Sequence, residues 1–217
     1  MPRILRVDSN NPDPTVVQEI VTVLAGDGLV AFPTDTVYGL AADIFSEAAL
    51  ERLVQVKARP HDKPIPVFIG GIDELDSIAR DVPEAAWRLA RRFWPGPLTL
   101  ILNASPHIPE AITAGTRTVG VRVPNLPLIE LILKALDHPI TGTSANKSGG
   151  ANPLTSKDVL RELRDQVDLL VDGGKSGSSI PSTVLDCTQF PVRIIRTGAV
   201  QRGTIAALLG KDAVQGP

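Results

Sequence analysis

Apolar positions along this chain alternate between helical spacing and short continuous runs. Val17, Ile20, Val21 and Leu24 share one face of a helix that Asp13 caps and Pro14 opens, with Gly26 or Gly28 placed to end it. Ser46 caps a second helix carrying Ala49, Leu50, Leu53, Val54 and Val56. Pro83 opens a third with Trp87, Leu89, Ala90 and Phe93. Segments 126–136, 159–163 and 204–209 complete the helical set. Between them the runs 29–32, 65–69, 98–102, 119–123, 139–143 and 167–171 read as strands, and 183–187 with 192–196 reads as a late pair.

Helices alternating with strands predict an α/β fold, with helices packed on a sheet. The crowded strands near the end leave room for antiparallel pairs, so the sheet is expected to be a twisted mixed one. No repeat, low-complexity tract or linker divides the chain, so a single domain over 1–217 is expected, followed at its end by a polar tail. Its 217 residues are enough to bury a core without a disulfide or metal. The formal net charge of −2 argues against a general nucleic-acid binder, and an aromatic content of 4% against base stacking as the main activity. Cys187 is the one cysteine, which excludes an internal disulfide. With no signal-peptide pattern and no long apolar run, the expected location is cytoplasmic, with no membrane partner.

Two segments carry candidate chemistry. Pro33-Thr34-Asp35-Thr36-Val37-Tyr38-Gly39-Leu40 and Thr141-Gly142-Thr143-Ser144-Ala145-Asn146-Lys147-Ser148-Gly149 each follow an apolar run and crowd hydroxyl and amide groups onto a turn. Small polar residues are ordinary turn formers. Two such turns with a cation motif between them point instead to a bound polar small molecule. That motif is Lys57-Ala58-Arg59-Pro60 with Lys63-Pro64. In Val119-Gly120-Val121-Arg122-Val123, alternation puts Arg122 on the face opposite Val121 and Val123. A mid-strand arginine needs a partner and suits a carboxylate or phosphate. Arg196 ends the last strand, and Ser182 and Thr183 begin another. Trp94 reads as core, and Arg88, Arg91 and Arg92 as a solvated helix face.

Near-matches to other motifs fail. Gly174-Lys175-Ser176 lacks the earlier glycine of a P-loop, and Asn146 stands where a nucleophile elbow needs glycine. Ser144 and Lys147 satisfy S-x-x-K without its companion K-T-G. No histidine pair has metal spacing. The set offers cations and hydroxyls with no covalent nucleophile, which suits a nucleoside triphosphate and a small polar co-substrate.

On these pieces, together with Trp94 to Thr99, Ser182 to Asp186, and Arg196 with Gly198, the chain resembles the YrdC-like threonylcarbamoyl-AMP synthases. The pieces run in family order over nearly the whole length. The resemblance implies a YrdC-like α/β fold with a concave, positively charged cavity. It implies formation of threonylcarbamoyl-AMP and pyrophosphate from L-threonine, bicarbonate or CO2, and ATP, with Mg2+ accompanying the ATP. The product feeds threonylcarbamoyladenosine modification of tRNAs reading ANN codons, through downstream transfer proteins, so contact with tRNA would be indirect. Carried over by position, Thr36, Arg122, Ser144 and Ser182 would hold threonine. Arg59, Lys63, Thr118, Asn146, Thr155 and Arg196 would hold ATP, with Lys57 in the same cationic wall. No residue takes a covalent catalytic role and no protein metal ligand is implied.

There are departures. Longer members carry a second C-terminal domain, and the resemblance here is to the short form. Many members have a histidine in the strand after the K-x-R loop, where this chain has Phe68, and an asparagine where it has Lys63. The alternative readings are a tRNA or double-stranded-RNA-binding module, or an inactive paralogue. The local patch of Lys57, Arg59, Lys63 and Arg122 favours the first. The acidic balance opposes it, and intact Thr36, Ser144, Asn146 and Ser182 oppose the second. Related carbamoyl-AMP chemistry occurs in longer, cysteine-rich chains, whereas this chain has one cysteine.

Overall fold

In the computed structural model, which describes residues 2–216, twelve strands and eight helices follow one another along the chain. They are β1 (Arg3–Arg6), α1 (Pro14–Ala25), β2 (Val30–Phe32), β3 (Gly39–Ala41), α2 (Glu47–Val56), β4 (Val67–Phe68) and α3 (Leu75–Ile78). Next come α4 (Glu84–Phe93), β5 (Leu98–Asn103), α5 (Glu110–Thr113), β6 (Thr118–Arg122), α6 (Pro127–Leu136), β7 (Ile140–Thr141) and β8 (Thr143–Ser144). Last are α7 (Ser156–Leu163), β9 (Leu169–Asp172), β10 (Thr183–Asp186), β11 (Val192–Arg196), α8 (Arg202–Leu209) and β12 (Val214–Gln215). Pro217, the end of the expected polar tail, lies outside the described residues.

Local rules account for the helix starts. The Asp13 carboxylate accepts from the Thr15 amide at 2.8 Å, and Pro14 sits in the first turn, where its missing N–H costs nothing. The Ser46 hydroxyl accepts from the Ala49 amide at 3.0 Å. Among the described residues, no helix is long and apolar enough to cross a membrane.

The strands form two mixed sheets where the sequence predicts one. The smaller runs β1-β9-β2-β3-β8, and the larger β12-β11-β10-β5-β6-β4-β7. In the smaller sheet β1, β9 and β2 are parallel, and β3 and β8 turn antiparallel. In the larger sheet the parallel pairs β10/β5 and β4/β6 flank the antiparallel β5/β6.

The predicted strand 139–143 is where the two sheets part. Its first half, β7, pairs with β4, and its second half, β8, pairs with β3. Gly142 stands between them with the Phe68 ring packed so closely that a Cβ would overlap it. Its amide donates to Pro66 O at 2.7 Å. A residue without a side chain is what lets the chain pass that ring and change sheets.

Strand β2 is buried on both faces, which explains its unbroken apolar run. Val30 and Phe32 pack with Ile20 and Leu24 of α1 and Ile129 and Ile132 of α6. Ala31 faces the other core, with Leu50 and Leu53 of α2. Trp94 is core, and its indole N–H donates to Leu98 O at 2.7 Å. Arg88, Arg91 and Arg92 are exposed.

Candidate functional site

A cavity of about 630 Å³ opens over one face of the larger sheet. Alternate residues form its floor: Thr99 and Ile101 from β5, Thr118, Gly120 and Arg122 from β6, Val184 from β10 and Ile195 from β11. The period of two that separates Arg122 from Val121 thus aims it into the cavity. The walls are the loop before β3, the turn after α2, and the β8–α7 loop. The smaller sheet holds the first and last of these walls together. Ser144 pairs with Gly39 across β8 and β3, and the Ala145 amide donates to Tyr38 O at 2.8 Å.

Arg122 is the most constrained cation in the site. It is 4% exposed. Its Nε donates to Gly96 O at 2.9 Å, one terminal nitrogen to Thr36 Oγ1 at 3.1 Å, and the other to Asp35 Oδ1 at 2.6 Å. Burial holds its pKa below the ordinary arginine value, and the Asp35 carboxylate opposes that shift. The guanidinium centre also lies 5.6 Å from the Phe68 ring centroid. A guanidinium has five N–H groups. Three are engaged, which leaves one on each terminal nitrogen unengaged among the described residues.

Thr36 is set by its own turn. Its amide donates to Thr34 Oγ1 at 3.0 Å, and Thr34 Oγ1 in turn donates to Val37 O at 2.8 Å. The glycine-rich segment after β9 braces this turn from behind: Gly177 and Ser178 amides donate to the Thr34 and Thr36 carbonyls. In the Gly174-Lys175-Ser176 stretch just before them, Gly174 O accepts from the Tyr38 hydroxyl at 2.6 Å and the Ser176 amide donates to Leu154 O at 2.9 Å. On the facing side, Ser182 Oγ lies 2.9 Å from Thr99 Oγ1 and accepts from Arg196 Nη2 at 3.0 Å. Burial and the charge of Arg122 both lower the Arg196 pKa.

The turn after α2 brings Lys57, Arg59 and Lys63 to the wall. Arg59 is 9% exposed and folds its guanidinium over its own turn, donating from Nε to Lys63 O at 3.1 Å and from Nη2 to Pro64 O. Desolvation lowers its pKa. Lys57 is 2% exposed, and its amine donates to the carbonyls of Ser144 and, at 2.7 Å, Asn146. Its own carbonyl accepts from the Ser148 amide at 2.8 Å. Burial, then the charges of Arg59 and Lys63, bring the amine down to about 7.

The structure therefore brings together Thr36, Lys57, Arg59, Lys63, Thr118, Arg122, Asn146, Ser144, Ser182 and Arg196 around one space. Thr155 is the exception. It caps α7 in a capping box, its Oγ1 donating to Asp158 Oδ2 at 2.9 Å and accepting from the Asp158 amide at 3.2 Å, and it does not line the cavity. Asn152, three residues earlier, does. Sequence reasoning also passed over Asp35, Thr99 and Ile195. Asp35 had a signal: a mid-strand arginine needs a partner, and an acid stood in the neighbouring motif. Five basic side chains and no acidic one line the cavity among the described residues. No group of three or more His, Cys, Asp or Glu side chains is placed to hold a metal ion among them.

Known proteins resemble this chain over most of its length. The Sua5/YciO/YrdC family model, described as "Telomere recombination", matches residues 22–198. The threonylcarbamoyl-AMP synthase of Pyrococcus abyssi is 38% identical over 183 residues, covering 84% of this chain and 54% of that protein. That of Bacillus subtilis is 37% identical over 199 residues, covering 91% of this chain and 57% of that protein. The chain thus spans a little over half the length of these two relatives. The crystal structure of P. abyssi Sua5 complexed with L-threonine superposes with a TM-score of 0.92 at 33% identity, covering 99% of this chain and 62% of that one.

Proposed function

The chain belongs to the Sua5/YciO/YrdC family, and from that premise we propose that it makes threonylcarbamoyl-AMP from L-threonine, bicarbonate or CO2, and ATP. One observation carries the reading. A buried arginine with two N–H groups unengaged, several hydroxyls and four further cations share one cavity.

In this reading the threonine carboxylate takes the two remaining Arg122 N–H groups, and Thr36, Ser144 and Ser182 orient its hydroxyl and amine. The amine adds to CO2 and loses a proton, giving an N-carboxylate. A carboxylate oxygen then attacks the α-phosphorus of ATP, a P–O bond forms, and pyrophosphate leaves with the electrons of the broken P–O bond. The protein contributes position and charge rather than a covalent intermediate. Arg59, Lys63 and Arg196 offset the triphosphate, with Lys57 behind them. Thr118 and Asn146 add polar contacts. Ile101, Val184 and Ile195 offer the base an aliphatic seat. Mg2+ enters as part of the substrate MgATP. Thr155 caps α7 and does not line the cavity, so this reading assigns it no ATP contact.

The product is a mixed anhydride, suited to passing its acyl group to an amine. Downstream transfer to tRNA adenosine by other proteins belongs to this proposal, as does a cytoplasmic setting.

Calorimetric titration of the ligand-free protein with L-threonine and L-alanine separates this reading from an RNA-binding one. Saturable L-threonine binding, with L-alanine at least tenfold weaker because its methyl group leaves the pocket hydroxyls unpaired, is the expected result. No amino-acid binding, with salt-sensitive RNA binding instead, would replace it.

A further inference from the structure

Lys57 is placed unlike the other cations of the site. Its amine, at the cavity wall, donates to two backbone carbonyls. One carbonyl belongs to Ser144 at the end of β8 and the other to Asn146 in the loop that follows, and both residues line the cavity. The side chains of the same two residues bond within the loop. Ser144 Oγ donates to Asn146 Oδ1 at 2.6 Å, and Asn146 Nδ2 donates to Gly150 O at 2.8 Å and Ala151 O at 2.9 Å. Ser148 is tied to Lys57 through its amide. The lysine thus staples the end of α2 to residues 144–148.

Its electrical surroundings are one-sided. Arg59 and Lys63 are the charges that act on the amine. In the loop itself Lys147 is exposed, and Glu162 of α7 lies beside Gly150. No acidic side chain lines the cavity among the described residues. A buried ammonium beside two like charges is disfavoured until a polyanion arrives.

We propose that Lys57 is a positioning residue that fixes the 144–148 loop, and that entry of a nucleoside triphosphate adds one proton from solvent to its amine. The proposal rests on the cavity being an ATP site. The chemistry follows from donor counting. A neutral amine has two N–H groups, which serve the two carbonyls, and a lone pair. Protonation turns that lone pair into a third N–H without disturbing the staple, and the new donor can meet a phosphoryl oxygen. Burial and the two neighbouring cations leave the free amine near 7.

The sign of the linkage is fixed. If the bound state holds the proton more tightly, affinity for MgATP is greatest below the free-state value of about 7. It then falls by up to about tenfold per pH unit as pH rises toward the bound-state value.

The test is calorimetric titration of the wild-type protein with MgATP at pH 8, in buffers of different ionisation enthalpy. An uptake of roughly half to one proton per ATP is expected, together with the fall in affinity above pH 7. Lys57→Met should bind ATP more weakly and with no uptake, and should raise KM for both substrates, since the loop serves both. Lys147→Met, in the same loop but exposed, should keep the wild-type uptake. ATP binding with no proton uptake and no pH slope overturns the proposal, as does full uptake in Lys57→Met. Where Lys57→Met does not fold, the wild-type stoichiometry and slope decide. Failure of the wild-type protein to bind ATP at all overturns the proposed function along with it.

Discussion

Arg122→Ala is expected to raise KM for L-threonine by about 10²- to 10³-fold, a loss of about 3–4 kcal/mol, because a desolvated carboxylate loses its paired donor. KM for ATP should move much less. The effect is separable from simple damage. Removing the guanidinium also strands the Asp35 carboxylate, whose only ion-pair partner among the described residues is Arg122 at 2.6 Å. Stability should therefore fall as well. In Arg122→Met combined with Asp35→Leu both charges are gone, so much of the stability should return while threonine affinity does not. Steady-state kinetics with urea denaturation of both variants checks this. A threonine KM within threefold of wild type in Arg122→Ala would remove Arg122 from the carboxylate site.

Asp35→Ala is expected to cost about 3–5 kcal/mol of stability, since it leaves a buried guanidinium without its counter-charge. Side-chain exposure is 5% for Arg122 and 13% for Asp35, so solvent screens the pair little. Asp35→Asn keeps a hydrogen-bond acceptor and should cost less. Both variants should also shift threonine KM more than ATP KM, because Asp35 fixes one of the nitrogens that offers an unused N–H. Denaturation midpoints of the two variants give the ordering. A loss below about 1 kcal/mol in Asp35→Ala would mean that water or another group compensates the arginine.

What could be read before the structure was mostly local. Caps at Asp13 and Ser46 give the starts of α1 and α2 because a side-chain oxygen within two or three bonds of Cα suffices to specify them. Alternation around Arg122 gives its face for the same reason. The division into two sheets depends on long-range pairing, β7 with β4 and β8 with β3, which no five-residue pattern contains. Strand β1 was missed because an edge strand reading Arg-Ile-Leu-Arg, with Ile4 48% exposed, has no buried face to mark it. Strand β3 lay hidden inside a segment read only for its chemistry.

The site shows the same limit. Residue types and motif order gathered ten side chains around one cavity. Direction was not legible. Lys57 reads as one cation among three until its two carbonyl partners, 87 and 89 residues away, are seen. The family resemblance puts Thr155 among the ATP contacts, whereas its hydroxyl is bonded to Asp158 in a helix cap. Both depend on what the side chain meets in space, and a helix cap competes for the same hydroxyl that a ligand would use.

The most direct test of the account is pyrophosphate release from MgATP by the purified protein, with L-threonine and bicarbonate each present or withheld. Release that requires both co-substrates, with threonylcarbamoyl-AMP as the nucleotide product, is the predicted result. Release indifferent to threonine, or none from protein that binds ATP, would contradict it.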